Sequence, residues 1–194
     1  MLSSGRNRVA GNVTLERGLC APEAMEISWK RLLSFLLLFA GCYIALAQAW
    51  TAGFSHWVID EATVRPAAWL ARVISGDASI TADGPHLLST RGSLNVLFGC
   101  EGMDVLLVLS AAVLVTPVTR VDRLAGLMVG VVVVFMVNQM RLLALFISIR
   151  SEPAWFGALH GLVAPLFVVA LVAAYFVGWL YWSRRADIPG VAAT

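Results

Sequence analysis

Four long stretches of the sequence are almost entirely apolar, and short polar segments separate them. They cover about 32–50, 101–118, 124–149 and 160–182. A stretch of roughly 20 apolar residues is long enough to cross the hydrocarbon core of a bilayer as an α-helix. The pattern therefore predicts an all-α integral membrane protein with about four transmembrane helices.

The first apolar stretch has two interpretations. Ala45-Leu46-Ala47 is similar to the small-residue cleavage site of a signal peptide. However, the apolar region of a signal peptide is usually shorter than this stretch, which favours a retained helix. The sequence is compatible with a start at either Met1 or Met25.

The longest polar segment, residues 51–99, is predicted to lie outside the membrane. Apolar residues recur there near helical spacing, at Val58, Ala62, Trp69 and Val73. With charged residues between them, they predict an amphipathic helix on the membrane surface, kinked near Pro66. Asp83-Gly84 and Arg91-Gly92 are typical turn sequences and predict a small β-hairpin.

Composition supports a membrane protein and excludes several other classes. Of the 194 residues, 59% are hydrophobic and only 13% are charged, which is too little charge for a soluble domain. A net charge of +2 without a basic stripe argues against a nucleic-acid partner. The three cysteines are an odd, scattered set, which argues against a disulfide framework, and they include no Cys-x-x-Cys pair that would suggest zinc. One cysteine can therefore be a functional thiol.

The distribution of basic residues predicts the orientation, because Lys and Arg favour cytoplasmic loops. With four spans, the basic residues fall on one side: Arg6, Arg8, Arg17, Lys30, Arg31, Arg120, Arg123, Arg184 and Arg185. Residues 1–31 and 183–194 are then cytoplasmic tails, and residues 32–182 form the membrane-embedded domain. Residues 51–99 would lie on the outer face.

Three residues with chemical potential converge at the outer ends of the predicted spans. Cys100 precedes the second span, Arg141 lies about two turns inside the third, and His160 begins the fourth. A charged residue within a span costs about 2.5–3.5 kcal/mol, so Arg141 requires an explanation. A cysteine thiolate is a nucleophile, an imidazole can take and return its proton, and an arginine can hydrogen-bond an oxyanion. These residues are the candidate catalytic cluster.

Each member also has a purely structural interpretation. Arg141 can extend its head group towards the interface, and His160 can simply mark the interface. A cysteine in a membrane helix is usually a small apolar residue, which is our interpretation of Cys42. The catalytic interpretation depends on the three residues sharing one depth.

The same residues resemble the motifs of the exosortase/archaeosortase family. Gly99-Cys100-Glu101-Gly102-Met103-Asp104 is similar to its cysteine motif, and Asn138-Gln139-Met140-Arg141 matches its N-x-x-R motif. His160 opens the next helix after a short loop, as the family's histidine does. The resemblance covers about residues 75–182, and the compact length is most like the H-type exosortases.

The resemblance implies a membrane-embedded cysteine transpeptidase or protease. Its substrates would be exported proteins with a C-terminal sorting signal of the PEP-CTERM kind: a short motif, a transmembrane helix and a basic tail. Cys100 would be the nucleophile, His160 the general acid/base and Arg141 the transition-state stabiliser. No metal or organic cofactor is implied. The recognised motif and the acceptor amine stay open.

Three further residues are expected to support this cluster. Asn138 lies one turn before Arg141 and is predicted to hold its guanidinium or to donate to the same oxygen. Asp104, at i+4 from Cys100, is expected on the same helical face, where it would orient His160 or pair with Arg141. Glu101 departs from the family pattern, which usually has a neutral residue there, and a carboxylate would oppose thiolate formation.

Two other functions are compatible with the sequence. In the first, the chain is a non-enzymatic membrane subunit in which Arg141 and Asp104 form an interhelical ion pair. Replacing Arg141 would then lower stability, and Cys100→Ser would be silent. In the second, the chain is a small transporter, but the spacing of Gly126 and Gly130 more often marks close helix packing.

Overall fold

A computed structural model describes residues 29–185. Its helices are α1 (Trp29–Ala49), α2 (Arg65–Ser75), α3 (Met103–Val115), α4 (Arg120–Ser151), α5 (Pro153–Ala158) and α6 (Ala164–Arg185). Three π-helical segments join or interrupt them, at Trp50–Phe54, Trp57–Val64 and Leu159–Val163. The strands are β1 (Thr81–Asp83), β2 (His86–Ser89) and β3 (Gly92–Asn95).

Three helical stretches are long and apolar enough to cross a membrane. They run over Trp29–Phe54, Arg120–Ser151 and Pro153–Arg185, and each includes one of the predicted spans or most of it. This supports the prediction of a helical membrane protein. The predicted tails, 1–31 and 183–194, lie largely outside the described residues.

The predicted second span differs from the observed helix. α3 begins at Met103 and ends at Val115, so it contains 13 residues and is about 20 Å long. Gly102, just before Met103, has a φ of +85°, so the helix does not extend back to Cys100. Thr116, just after Val115, is extended and ends the helix. α3 alone is therefore shorter than the roughly 30 Å hydrocarbon core of a bilayer.

Local sequence signals explain where the other helices begin and end. The Thr119 hydroxyl accepts a hydrogen bond from the Asp122 backbone N–H, which caps the start of α4. Pro153 occupies the first turn of α5, where its missing N–H costs nothing. α2 ends at Gly76, which adopts the left-handed conformation at a φ of +65°.

The segment predicted to lie outside the membrane, residues 51–99, forms a compact unit that we call the cap. Its predicted amphipathic helix is a π-helical segment followed by α2, and Pro66 lies in the first turn of α2. Its strands form an antiparallel sheet in the order β1-β2-β3, one strand more than the predicted hairpin. The turns Gly84-Pro85 and Thr90-Arg91 link these strands, within or beside the predicted turn sequences.

Trp69 and Val73 were grouped with Val58 on one apolar face, but the structure separates them. Val58 is buried, whereas Trp69 and Val73 are more than half exposed. α2 instead packs against the protein through its small residues Ala67, Ala68 and Ala71. The large apolar side chains of α2 therefore face away from the core.

Two hydrophobic cores hold the chain together. The first, the cap core, joins the cap to the last third of α4 and includes Val64, Ile80, Leu87, Leu142, Leu145 and Phe146. The second, the bundle core, lies among α3, α4 and α6 and includes Leu109, Val113, Val134, Val168, Val172 and Trp179. Cys100 packs against the cap core just before the chain enters α3.

Gly126 and Gly130 allow α4 to approach its neighbours closely. A Cβ atom added to Gly126 would lie 2.5 Å from Trp179, and one added to Gly130 would lie 2.9 Å from Leu109. The Tyr175 hydroxyl donates to the Gly126 carbonyl at 2.6 Å, a contact that a closely packed helix pair permits. This confirms the interpretation of the two glycines as packing residues.

Candidate functional site

Cys100 lies in a tight turn rather than on a helix. The turn is flanked by Gly99 and Gly102, whose φ angles of +86° and +85° are rarely adopted by residues with a side chain. The Cys100 backbone N–H donates to the Leu97 carbonyl at 3.0 Å, which closes the turn. The thiol is consequently presented half-buried at the junction of the cap and α3.

Arg141 contacts the Cys100 thiol across 41 residues of sequence. Its terminal nitrogen lies 3.8 Å from Cys100 Sγ, within the range of a weak hydrogen bond to sulfur. Its Nε is buried and has no hydrogen-bond partner among residues 29–185. The guanidinium therefore keeps donor capacity beside the sulfur that no described group occupies.

His160 lies on the same side of the molecule but does not contact the thiol. It belongs to the π-helical turn Leu159–Val163, and its exposed ring stacks on Phe156, with 5.5 Å between the ring centroids. Phe156 packs against the cap core, as Cys100 does. Among the described residues, no hydrogen bond joins His160 to Cys100.

Asn138 forms no hydrogen bond with Arg141 among residues 29–185. Its side chain is 2% exposed and packs beneath Gly102, where an added Cβ would lie 3.1 Å from Asn138 Cγ. Its Oδ1 has no hydrogen-bond partner within residues 29–185. Asn138 thus supports the turn that holds Cys100, because only a residue without a side chain fits above it.

The contacts expected between Asp104 and His160 or Arg141 are also not formed among residues 29–185. The spacing argument required Cys100 and Asp104 to share a helix, and the break at Gly102 leaves only Asp104 on α3. In the described part of the chain, Asp104 forms neither an ion pair with Arg141 nor a hydrogen bond with His160, and its Oδ1 is buried without a partner. Asp104 instead lines an apolar groove of about 340 Å³ between α3 and α6.

Glu101 is the most enclosed charged residue of the cluster. It is 7% exposed, and both carboxylate oxygens lack a hydrogen-bond partner among residues 29–185. It lines a cavity of about 270 Å³ whose walls include Phe54, Trp57 and Thr63. The sequence identified Glu101 but not this cavity.

The aromatic walls of this cavity come from Phe54, at the end of the first long helical stretch, and from Trp57, in the segment that follows it. Gly53, with a φ of +92°, kinks the chain after α1 and is the one signal for a change of direction there. The ring of Phe54 stacks on that of Trp57, with 6.0 Å between the centroids. Periodicity alone gives no indication that these rings lie beside Glu101.

A further polar contact ties the cap to α4 below the site. The Gln139 side-chain amide donates to the Thr63 carbonyl at 3.3 Å, and both residues are buried. The Thr63 hydroxyl donates in turn to the Val58 carbonyl at 2.7 Å. These bonds fix the wall of the Glu101 cavity against the helix that carries Arg141.

The structure combines a half-buried thiol, a guanidinium in contact with it and an exposed imidazole that stacks on Phe156 at the edge of the same core. Such a set can perform nucleophilic attack and stabilise an anionic oxygen. Comparisons of the chain with protein-family models, with curated proteins and with solved structures found no match. The functional argument therefore depends on the site itself.

Proposed function

We propose that the chain is a membrane-embedded cysteine transpeptidase or protease, similar to the exosortases. It would cleave the C-terminal sorting signals of exported proteins at the outer face of a bacterial inner membrane, with both of its termini in the cytoplasm. The observation that carries the proposal is the 3.8 Å contact between Arg141 and Cys100 Sγ. An arginine inside an apolar helix is costly, and a role beside a nucleophile accounts for it.

The reaction begins with transfer of the thiol proton from Cys100 to His160. The thiolate attacks the scissile amide carbonyl, and Arg141 hydrogen-bonds the oxyanion that forms. The intermediate collapses as His160 returns the proton to the leaving nitrogen, which releases the C-terminal helix of the substrate. The remaining thioester on Cys100 is then captured by an amine or by water.

This sequence requires His160 to approach Cys100 when substrate binds. Catalytic hydrogen bonds are often long or absent without substrate and tighten in the complex. The histidine lies in a π-helical turn, a geometry that is frequent at functional sites and is easily remodelled. Its exposed ring leaves space for rotation about the side-chain bonds.

The proposal is tested by co-expressing the protein with a tail-bearing protein encoded in the same genome. We expect Cys100→Ser to lower cleavage by at least about a thousandfold, because the nucleophile is removed. Cys42→Ser is the matched control, since Cys42 is a free cysteine on α1 and should process normally. A hydroxylamine-labile adduct at Cys100 should be trapped with the unmodified protein. Normal processing by Cys100→Ala would contradict the proposal.

A further inference from the structure

A buried carboxylate without a partner lies next to the proposed nucleophile. Glu101 is 7% exposed, and neither oxygen forms a hydrogen bond with any group in residues 29–185. None of the three ion pairs in that range involves it. Burying an ionised carboxylate without a partner is unfavourable, so a cation bound beside Glu101 would stabilise its charged form.

The surroundings of Glu101 favour a positively charged ligand. Asp104 adds a second negative charge near Glu101, and neither Glu101 oxygen has a hydrogen-bond partner among residues 29–185. Arg141 contacts the Cys100 sulfur, and none of the residues that line the cavity is basic. The cavity is therefore electronegative and holds no cation from the described part of the chain.

The walls of the cavity suit an ammonium group attached to an alkyl chain. Phe54 and Trp57 stack on one another beside it, and aromatic faces attract cations. Val58, Met103 and Leu106 supply apolar surface for methylene groups. A volume of about 270 Å³ accommodates a small ligand or one side chain rather than a folded partner.

We propose that the Glu101 cavity binds a primary alkylammonium group and presents this amine to the acyl group on Cys100. The inference rests on the proposed function and specifies its acceptor. Glu101 directly follows Cys100 in the turn, and consecutive Cα atoms are about 3.8 Å apart, so the two side chains branch from neighbouring points of the backbone. The chain would therefore favour transpeptidation over hydrolysis.

The transfer step moves two protons away from the bound ammonium group. The Glu101 carboxylate takes one proton from the bound ammonium, which leaves a neutral amine. The amine nitrogen attacks the thioester carbonyl, a C–N bond forms and the C–S bond breaks. The second N–H proton passes to His160, and Cys100 leaves as a thiolate. The products are an amide, protonated Glu101, protonated His160 and the free thiolate.

The binding step is tested on the full-length protein in lipid nanodiscs, with Cys20→Ser and Cys42→Ser so that Cys100 is the sole thiol. The rate of Cys100 alkylation by iodoacetamide is measured against the concentration of butylammonium, with butan-1-ol as the neutral control. We expect butylammonium to slow alkylation saturably and butan-1-ol to have little effect.

Glu101→Gln should raise the half-saturating butylammonium concentration by at least about tenfold, because hydrogen bonds to charged groups are the stronger ones. Glu61→Gln is the matched control: this carboxylate pairs with Arg65 on the cap and should not affect protection. Trp57→Leu removes an aromatic wall without removing charge, and should weaken protection severalfold even if Glu101→Gln does not fold.

Three outcomes would overturn the inference: no saturable protection of the unmodified protein, equal protection by butan-1-ol, or unchanged protection in Glu101→Gln. Loss of protection in Asp104→Asn alone would also overturn it, since the carboxylate would be the wrong one. Failure to trap an acyl group on Cys100 defeats the proposed function and leaves the ammonium site standing. Acylation without protection by amine defeats only the ammonium site.

Discussion

At the scale of single residues, the main feature is the turn that separates Cys100 from α3. Two left-handed glycines enclose Cys100 and Glu101, and Asn138 closes the space beneath the second. The turn presents the thiol to Arg141, and the neighbouring Glu101 lines a cavity of about 270 Å³. Backbone conformation, rather than helical spacing, thus determines which groups meet.

Gly102→Ala should disrupt this turn. The substituted residue would keep a positive φ, at a cost of about 1–2 kcal/mol for a residue with a Cβ. Its Cβ would also lie 3.1 Å from Asn138 Cγ. We expect a lower melting temperature in detergent and altered reactivity of Cys100 towards iodoacetamide.

Gly41→Ala is the matched control for that experiment. Gly41 lies within α1, and nothing is within 4 Å of the Cβ it would gain. Alanine is a better helix former, so stability should stay equal or rise slightly. Equal melting temperatures for both variants would contradict the role assigned to the turn.

The sequence predicts the long helices well and the immediate surroundings of the thiol poorly. Apolar runs locate α1, α4 and α6, because the length of a spanning helix is set by the bilayer. The sequence predicts that Cys100 and Arg141 lie at the same depth in the membrane, and in the structure the two side chains are in contact. Among residues 29–185, Asp104 and Asn138 form no hydrogen bond with Arg141 or His160, because Gly102 separates Cys100 from the helix of Asp104 and Asn138 packs beneath Gly102. The predicted donation by Asn138 to the oxyanion stays a prediction.

At the scale of elements, an ion pair anchors the cap to α4. Arg150 binds Asp77, although 73 residues separate them, and both side chains are mostly buried. Ser79 donates two further hydrogen bonds to Asp77 Oδ1, at 2.9 and 2.6 Å. No local pattern in the sequence indicates this contact, since it depends on how the cap folds back.

The stability of this anchor should depend on pH. Hydrogen bonds from Ser79, and then the Arg150 guanidinium, hold the pKa of Asp77 below its ordinary value. The ionised Asp77 carboxylate therefore contributes its full stabilisation above the unfolded-state pKa of about 3.9. This contribution is lost as the pH falls through the lower pKa of Asp77 in the folded protein. The difference in melting temperature between the unmodified protein and Asp77→Asn should be clear at pH 7 and shrink towards pH 3.

Asp83→Asn provides the comparison for this pH series. Asp83 is an exposed carboxylate on β1 of the same cap and takes part in no ion pair among residues 29–185. This variant should match the unmodified protein at both ends of the series. A stability difference for Asp77→Asn that does not change with pH would refute the assignment.

Adding one methyl group at Gly126 should disturb the packing of α4 against α6. In Gly126→Ala the new Cβ would lie 2.5 Å from the indole of Trp179, whose N–H donates to the Asp122 carbonyl at 3.1 Å. Overpacking of this kind costs about 1–3 kcal/mol. Gly178→Ala on α6, with nothing within 4 Å of its Cβ, should leave thermal stability unchanged in the same assay.

At the scale of the whole molecule, the number of crossings depends on α3. Three helical stretches are long enough to span a bilayer, and α3 is not. If α3 nevertheless crosses, as the distribution of basic residues predicts, the β2–β3 turn and the α3–α4 turn lie on opposite sides.

Labelling of single cysteines tests this topology in a background without the native cysteines. We expect Thr90→Cys, in the β2–β3 turn, to react with a membrane-impermeant maleimide in intact cells. Thr119→Cys, before α4, should react only after lysis. Labelling of both positions in intact cells would mean that α3 enters and leaves on one side, and the four-span topology would be wrong.

A crossing by α3 would have a consequence for the lipid around it. A helix about 20 Å long is shorter than a hydrocarbon core about 30 Å thick, which is a hydrophobic mismatch. Either the bilayer thins around the helix, or the residues at the helix ends lie within the hydrocarbon region. Thinning would bring water and head groups down to the turn that holds Cys100. Activity should then vary with the acyl-chain length of the host membrane, and lipid thickness would act as a control on the chemistry.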